Sequence, residues 1–140
     1  MKKIIITCIV FIVSMSFVST NNCDTNKYKP ICLSKLGEGY TYIKSYSLEK
    51  KGDEKLEYSF VFSKNVNYMI TTATDIDEEP RVEIKVYDKY RKLLFSNYHK
   101  RKDRFHIINY PCIYTGVHYI TFKHHNEEAT CGLSVLAFKR

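Results

Sequence analysis

Two stretches of strict alternation constrain this chain more than anything else in it: Tyr58-Ser59-Phe60-Val61-Phe62-Ser63 and Val82-Glu83-Ile84-Lys85-Val86-Tyr87. Successive Cβ atoms on an extended chain point to opposite faces, so Tyr58, Phe60 and Phe62 share one side, as do Val82, Ile84 and Val86. A period of two with one large apolar set marks a strand with one face in a core and the other in water. Tyr68-Met69-Ile70-Thr71-Thr72 lies between them as a third β-rich run. After them, Tyr87 to Lys92 reads as a turn that leads into Leu93-Leu94-Phe95.

The rest of the chain follows the same pattern. Tyr40 to Leu48 reads as a first strand, with Tyr42, Lys44, Tyr46 and Leu48 on one face. Phe105 to Asn109 is a short strand ended by Tyr110-Pro111-Cys112. In Val117 to Phe122, the set His118, Ile120 and Phe122 opposes Val117, Tyr119 and Thr121, and Cys131 to Phe138 is a final, mostly apolar strand. Polar segments separate these runs at 50–54, 64–65, 74–80, 99–104 and 124–130. About seven or eight strands, spaced about 8–12 residues apart with no convincing helix, predict an all-β sandwich of two antiparallel sheets. With 12 Tyr, 8 Phe and no Trp, the aromatic content suits pleated surfaces.

The N-terminus reads as an export signal. Lys2 and Lys3 form a positive n-region, Ile4 to Val13 is apolar, and Ser14, Ser16, Ser19 and Thr20 supply small residues for cleavage near Ser19 or Thr20. The apolar run is too short to span a bilayer. The expected organisation is a signal peptide at 1–20, an irregular cysteine-containing lead-in at 21–39 and a β-sandwich domain at 40–140. No transmembrane segment is expected in the mature chain. Cys23 is a candidate lipid-anchor cysteine, but Thr20-Asn21-Asn22 before it lacks the apolar and small residues such a site wants. The formal net charge is +7, of which Lys2 and Lys3 carry two.

Cys8 falls in the leader, leaving Cys23, Cys32, Cys112 and Cys131. An even set in an exported chain points to disulfides rather than to metal or catalysis. The pairing is open. If Val117–Phe122 and Leu133–Phe138 form a hairpin, Cys112 and Cys131 lie on the order of 25–40 Å apart at ~3.3 Å per residue. Bridged Cα atoms need to be within about 7 Å. That disfavours Cys112–Cys131, and the other pairings tie the lead-in to the sandwich.

Several clusters invite a functional reading beside a plain one. Asp75, Asp77, Glu78 and Glu79 are oxygen ligands of the kind hard cations bind, but they lack the spaced ligands and glycine of an EF-hand loop and read first as a solvated acidic loop. Lys89, Tyr90 and Arg91, with Lys100, Arg101, Lys102 and Arg104, would make a basic, tyrosine-interleaved patch for a polyanion or an anionic envelope component; otherwise they are soluble loop tips that guard strand edges. His124-His125-Asn126-Glu127-Glu128 resembles a ligand set only superficially, because adjacent residues point apart. No nucleophile elbow, His-Glu-x-x-His helix or activated cysteine appears, and no cofactor is called for. A hydrolase would need His, Asp and Ser to converge in a cleft. Tyr40, Tyr42, Tyr46, Tyr87, Tyr90, Tyr98, Tyr110 and Tyr114 cannot all be core; exposed, they would offer stacking surfaces for sugars or a protein interface.

Three strands carry a resemblance: Tyr58-x-Phe60-x-Phe62, Asn67-Tyr68-x-Ile70 and Ile84 to Asp88, followed by Leu94 to Asn97. The turn Thr115-Gly116 leading to Tyr119-Ile120, and Cys131-Gly132-Leu133 to Phe138, complete it. From Tyr40 to Phe138 the chain resembles bacterial pre-peptidase C-terminal domains, jelly-roll-like β-sandwiches on secreted proteins. It is closer still to small stand-alone exported proteins of Bacteroidetes built on that plan. The resemblance implies a jelly-roll-like fold and carries no catalytic residues. The expectation is a non-enzymatic binding module in the periplasm or at the cell surface. Its expected partner is a protein or glycan of the envelope, with no nucleic acid.

Overall fold

The computed structural model describes residues 23–50, 52, 55–75, 82–98, 105–125 and 130–140. Its strands are β1 (Thr41–Ser47), β2 (Leu56–Phe62), β3 (Asn67–Thr74), β4 (Val82–Tyr87), β5 (Leu93–Ser96), β6 (Ile107–Pro111), β7 (Gly116–His124) and β8 (Gly132–Lys139). They build two antiparallel four-stranded sheets, ordered β1-β8-β3-β6 and β2-β7-β4-β5. This order has a simple origin. The first half of the chain pairs with the second as one long hairpin whose tip is β4–β5. The successive pairs β4·β5, β3·β6, β2·β7 and β1·β8 then fall alternately into one sheet and the other. Eight strands wound in this way are a jelly roll, the fold class expected.

Alternation sorts the side chains as predicted. Phe62, Ile84, Val86, Ile120, Phe122 and Leu136 are fully buried between the sheets, while Glu57, Ser59 and Val61 face out. Register brings the inward residues together, with Tyr58 opposite Ile120 and Phe122 opposite Ile84. Burying a Phe or Ile side chain in such a core contributes about 1.5–3 kcal/mol. Aromatic contacts add direction to it: Phe62 stacks on Tyr68 with ring centroids 4.1 Å apart, and Tyr46 meets Tyr58 at 4.6 Å.

Three expectations are corrected. In β1 the register shifts between Tyr42 and Lys44. The extra residue, Ile43, turns to the core, and Tyr42 moves to the opposite face, where Lys29 sits over its ring at 4.7 Å. Lys44, Tyr46 and Leu48 keep the shared face. Second, β7 and β8 do not form a hairpin, since they lie in different sheets. Third, β6 runs Ile107–Pro111, past the expected stop at Tyr110, because it is an edge strand where a proline costs no ladder bond.

The lead-in is not irregular. Thr25–Lys27 forms a 3-10 turn capped by the Asp24 carboxylate, which accepts from Asn26 N, and α1 (Lys29–Ser34) follows with Pro30 in its first turn. Proline is well placed there because its missing N–H would have no helical partner. This segment packs on the outer face of the β1-β8-β3-β6 sheet, where Tyr28 and Cys32 pack with Ala73, Leu133 and Val135. The Cys32 thiol donates to Leu133 O at 3.3 Å, Thr71 Oγ1 donates to Cys32 O at 3.1 Å, and Lys35 Nζ donates to Thr72 O at 2.9 Å.

A Cys23–Cys131 disulfide pins the start of the lead-in, as the tie to the sandwich required. The framework is not fourfold, however: Cys32 and Cys112 are buried thiols. Cys32 lies in α1, on the outer side of the β1-β8-β3-β6 sheet, whereas Cys112 belongs to the core between the sheets. The sheet itself separates them.

Candidate functional site

The second sheet, β2-β7-β4-β5, presents its outer face to solvent, and register assembles a row across all four of its strands. Ser59 lies opposite Tyr119, Tyr119 opposite Tyr87, and Tyr87 opposite Leu93. One step along, Val61 pairs with Val117, both exposed. Tyr87 and Tyr119 occupy the positions of their strands that alternate away from the core.

Arg91 completes this face from the β4–β5 turn. The Asp88 carboxylate accepts from Tyr90 N and Lys92 N, both at 2.8 Å, while Arg91 N donates to Asp88 O at 3.0 Å. The ladder shifts between Val86 and Tyr87, and Arg91 has φ +67°. Such a left-handed position beside a hairpin bulge ordinarily goes to Gly or Asn. Here it sends the arginine back over the sheet. The guanidinium carbon stands 3.6 Å from the Tyr119 ring centroid, and Nη1 lies 2.6 Å from Glu57 Oε2. One side chain from the turn thus spans β7 and reaches β2. Lys55, Glu57, Tyr87 and Arg91 line a cleft of about 520 Å³, within the roughly 300–1,000 Å³ that small-ligand sites occupy.

The Arg91–Glu57 pair is partly exposed, with side chains 53% and 30% accessible. Water screens such a pair, so it orients more than it stabilises. The Glu57 carboxylate beside it raises the Arg91 pKa above its ordinary value. On the same face Lys85 Nζ meets Glu83 at 2.8 Å, which raises the lysine pKa.

The sequence-predicted sites fare differently. Lys89 and Tyr90 sit at the tip of the β4–β5 turn, Tyr90 being 79% exposed with Lys89 Nζ 4.8 Å from its ring centroid. Arg91 leaves them and joins Tyr119 and Glu57 instead. Lys100, Arg101, Lys102 and Arg104 lie outside the described residues, as do Asp77, Glu78 and Glu79. Asp75 is described: its carboxylate accepts from Thr130 N at 3.4 Å, and its N–H donates to Cys131 O at 3.1 Å. Among the described residues, no group of three His, Cys, Asp or Glu side chains converges as a metal site would require. His124 and His125 diverge, the first to Leu48 O at 2.7 Å, the second to the Tyr98 ring and Glu83.

Of the tyrosines, Tyr46 and Tyr110 are buried, Tyr40, Tyr87 and Tyr114 are half-buried, and Tyr42, Tyr90 and Tyr98 are exposed. Sequence reasoning missed Lys55, Glu57 and Tyr119 as partners of Arg91. The period of two marks Glu57 and Tyr119 as outward, but only register, set by pairs more than 30 residues apart, joins them to Arg91.

A second cluster lies in the core. His118 is sandwiched between Phe62, at 4.7 Å, and Tyr114, at 5.0 Å. Its Nδ1 meets Gly116 O at 2.9 Å, and a carbonyl only accepts, so Nδ1 carries the proton and Nε2 accepts from Tyr110 OH at 3.3 Å. The Cys112 thiol donates to Tyr114 O at 3.0 Å, and burial pushes its pKa up, away from the thiolate a nucleophile needs. These groups fill and orient the core.

No protein-family model and no curated protein matches the chain. Among the described residues, no helix is long and apolar enough to cross a membrane.

Proposed function

We propose that this protein is an exported, non-enzymatic binding module that engages a glycan of the cell envelope across the open face of its β2-β7-β4-β5 sheet. The observation that carries this reading is the contrast between the two outer faces. The centre of one is covered by the lead-in, whereas the other offers the Ser59-Tyr119-Tyr87-Leu93 row with Arg91 held over the Tyr119 ring. The Tyr87 ring beside a fixed guanidinium suits ring stacking together with hydrogen bonding to hydroxyls. The signal-like N-terminus and the Cys23–Cys131 bridge support an oxidising, extracytoplasmic setting.

The test is retention of envelope components and purified glycans by the immobilised, oxidised chain, beside a Tyr87→Ala/Tyr119→Ala variant. A saturable glycan lost in the variant supports the reading. Undiminished retention by the variant, or retention that moderate salt abolishes for every acidic polymer alike, overturns it. The second of those results would point instead to the basic tips around Lys89 and 99–104 as a polyanion surface.

A further inference from the structure

Resting on that reading, we infer that the cleft between Lys55, Glu57, Tyr87 and Arg91 is a subsite for a single hexuronate unit, a sugar ring bearing one carboxylate. Its charge sets the class of ligand. Among the described residues, two cations and one carboxylate line the cleft, a balance matched by one negative charge. A densely sulfated or phosphorylated polymer would bring several charges against Glu57, and like charges placed side by side are unfavourable. Glu57 instead accepts hydrogen bonds from hydroxyls, which a sugar supplies in number.

Geometry sets the orientation. The Arg91 guanidinium carries five N–H donors in a planar fork. One reaches Glu57, and the half-exposed remainder can meet a planar carboxylate in the two-bond fashion that arginine favours over lysine. Tyr119, beneath the guanidinium at 3.6 Å, fixes its plane, and Tyr87, the register neighbour of Tyr119, lines the cleft beside it. A sugar ring lying on Tyr87 therefore places its acid group toward Arg91 and Lys55. The backbone singles out Arg91 as well. A non-glycine residue at φ +67° carries strain that only an over-determined turn sustains, and Asp88 supplies that turn with its four hydrogen bonds.

The experiment is titration calorimetry of the oxidised chain with three probes: an oligogalacturonate, its fully methyl-esterified neutral counterpart, and a heparin oligosaccharide. The expected result is saturable binding of the oligogalacturonate and at least tenfold weaker binding of the ester. Arg91→Gly tests the site without endangering the fold, because glycine adopts φ +67° freely. It should keep or raise the melting temperature while losing at least tenfold in affinity for the acid, and Tyr87→Ala should lose a similar factor for acid and ester. Equal affinity of acid and ester, with loss of both on Tyr87→Ala, overturns the carboxylate subsite and leaves the glycan face standing. Heparin binding that survives Arg91→Gly overturns it in favour of a basic surface elsewhere. Absence of binding to all three probes overturns the inference. In that case retention of some other envelope glycan through Tyr87 and Tyr119 decides whether the wider reading falls with it.

Discussion

The outer faces of the two sheets occupy equivalent places in the sandwich and have been put to opposite uses. On β3 and β8, the two central strands of the first sheet, the outward positions Met69, Thr71, Ala73, Leu133, Val135 and Ala137 are all buried, with Ala73, Leu133 and Val135 packed under the lead-in, while Ile107, Asn109 and Pro111 on the edge strand β6 are exposed. On the second they include Glu57, Ser59, Val61, Val117 and Lys123, which are exposed, and Tyr87 and Tyr119, which are half-exposed. A sheet with one wet face alternates, whereas one covered on both faces loses its polar positions. The cover here is thin. A six-residue helix has no stability of its own in water, so α1 exists only because its sheet and the Cys23–Cys131 bridge hold it. The comparison teaches that covering a jelly-roll face takes a covalent tie when the covering element is this short, and that the uncovered face is where a ligand has access.

Cutting the tie should have the largest effect. The bridge spans a sequence separation of 108, and closing a loop of that size in the unfolded chain contributes about 4–5 kcal/mol on the chain-entropy account. Cys131→Ser should lower the unfolding free energy by that order. It should also raise binding of a hydrophobic dye, as the lead-in frees Ala73, Leu133 and Val135. Unchanged dye binding after the bridge is removed would mean that the cover holds without it. Thiol titration of the unfolded, unreduced chain prepared without residues 1–20 should find the two cysteines Cys32 and Cys112; finding none would show them bridged.

Exchanging one outward residue on each face sharpens the contrast. Val135→Asp places a carboxylate under the lead-in at a fully buried position, at a cost of about 3–5 kcal/mol or a strongly raised carboxyl pKa. Val117→Asp, at an outward position of the other sheet that is 39% exposed, should change stability by less than about 1 kcal/mol. Denaturant unfolding of the two variants reads the difference directly, and comparable losses would dissolve the distinction between the faces. Between these lies Gly132→Ala. A Cβ there would stand 2.6 Å from Ala73 O, across the ladder that joins β8 to β3. Opening that ladder should cost about 2 kcal/mol.

Much of this was legible in the sequence. The alternating sets of β2, β4 and β7 are the core residues themselves, and the two-sheet sandwich follows from them. Less legible was β3, whose Tyr68-Met69-Ile70-Thr71-Thr72-Ala73 run does not alternate. That lack of alternation is itself the mark of burial on both faces, but nothing local says which segment provides the second cover. The lead-in looked irregular because its residues are polar and its helix is short. Its helicity is imposed by Ala73, Leu133 and Val135, about 40–110 residues away. The bulge at Ile43 left no trace in composition, and it reversed Tyr42. The open-face site was half legible: outwardness could be read for Glu57, Tyr87 and Tyr119, and a turn for Asp88 to Lys92. Register and the left-handed backbone at Arg91 brought them together, and both depend on pairings distant in sequence.

The smallest effect separates the tyrosines of the two sheets. Tyr46 stands on the inner side of the first sheet, 2% exposed, and its hydroxyl finds no hydrogen-bond partner among the described residues. Burial pushes its pKa from 10 up to about 12, with the neighbouring Tyr58 adding to the shift. The protonated form is the one the fold favours. The corresponding stability is therefore complete below pH 10 and is lost as pH rises from 10 to about 12. Tyr46→Phe removes both the orphan hydroxyl and the ionisation. It should raise stability at neutral pH by about 1 kcal/mol and flatten the alkaline decline, as followed by denaturant unfolding across that pH range. Tyr87→Phe, on the half-exposed outer face of the other sheet, should leave stability at neutral pH where it is. A stability loss on Tyr46→Phe would mean that the hydroxyl has a partner after all and that the inner face of the first sheet is wetter than its packing implies.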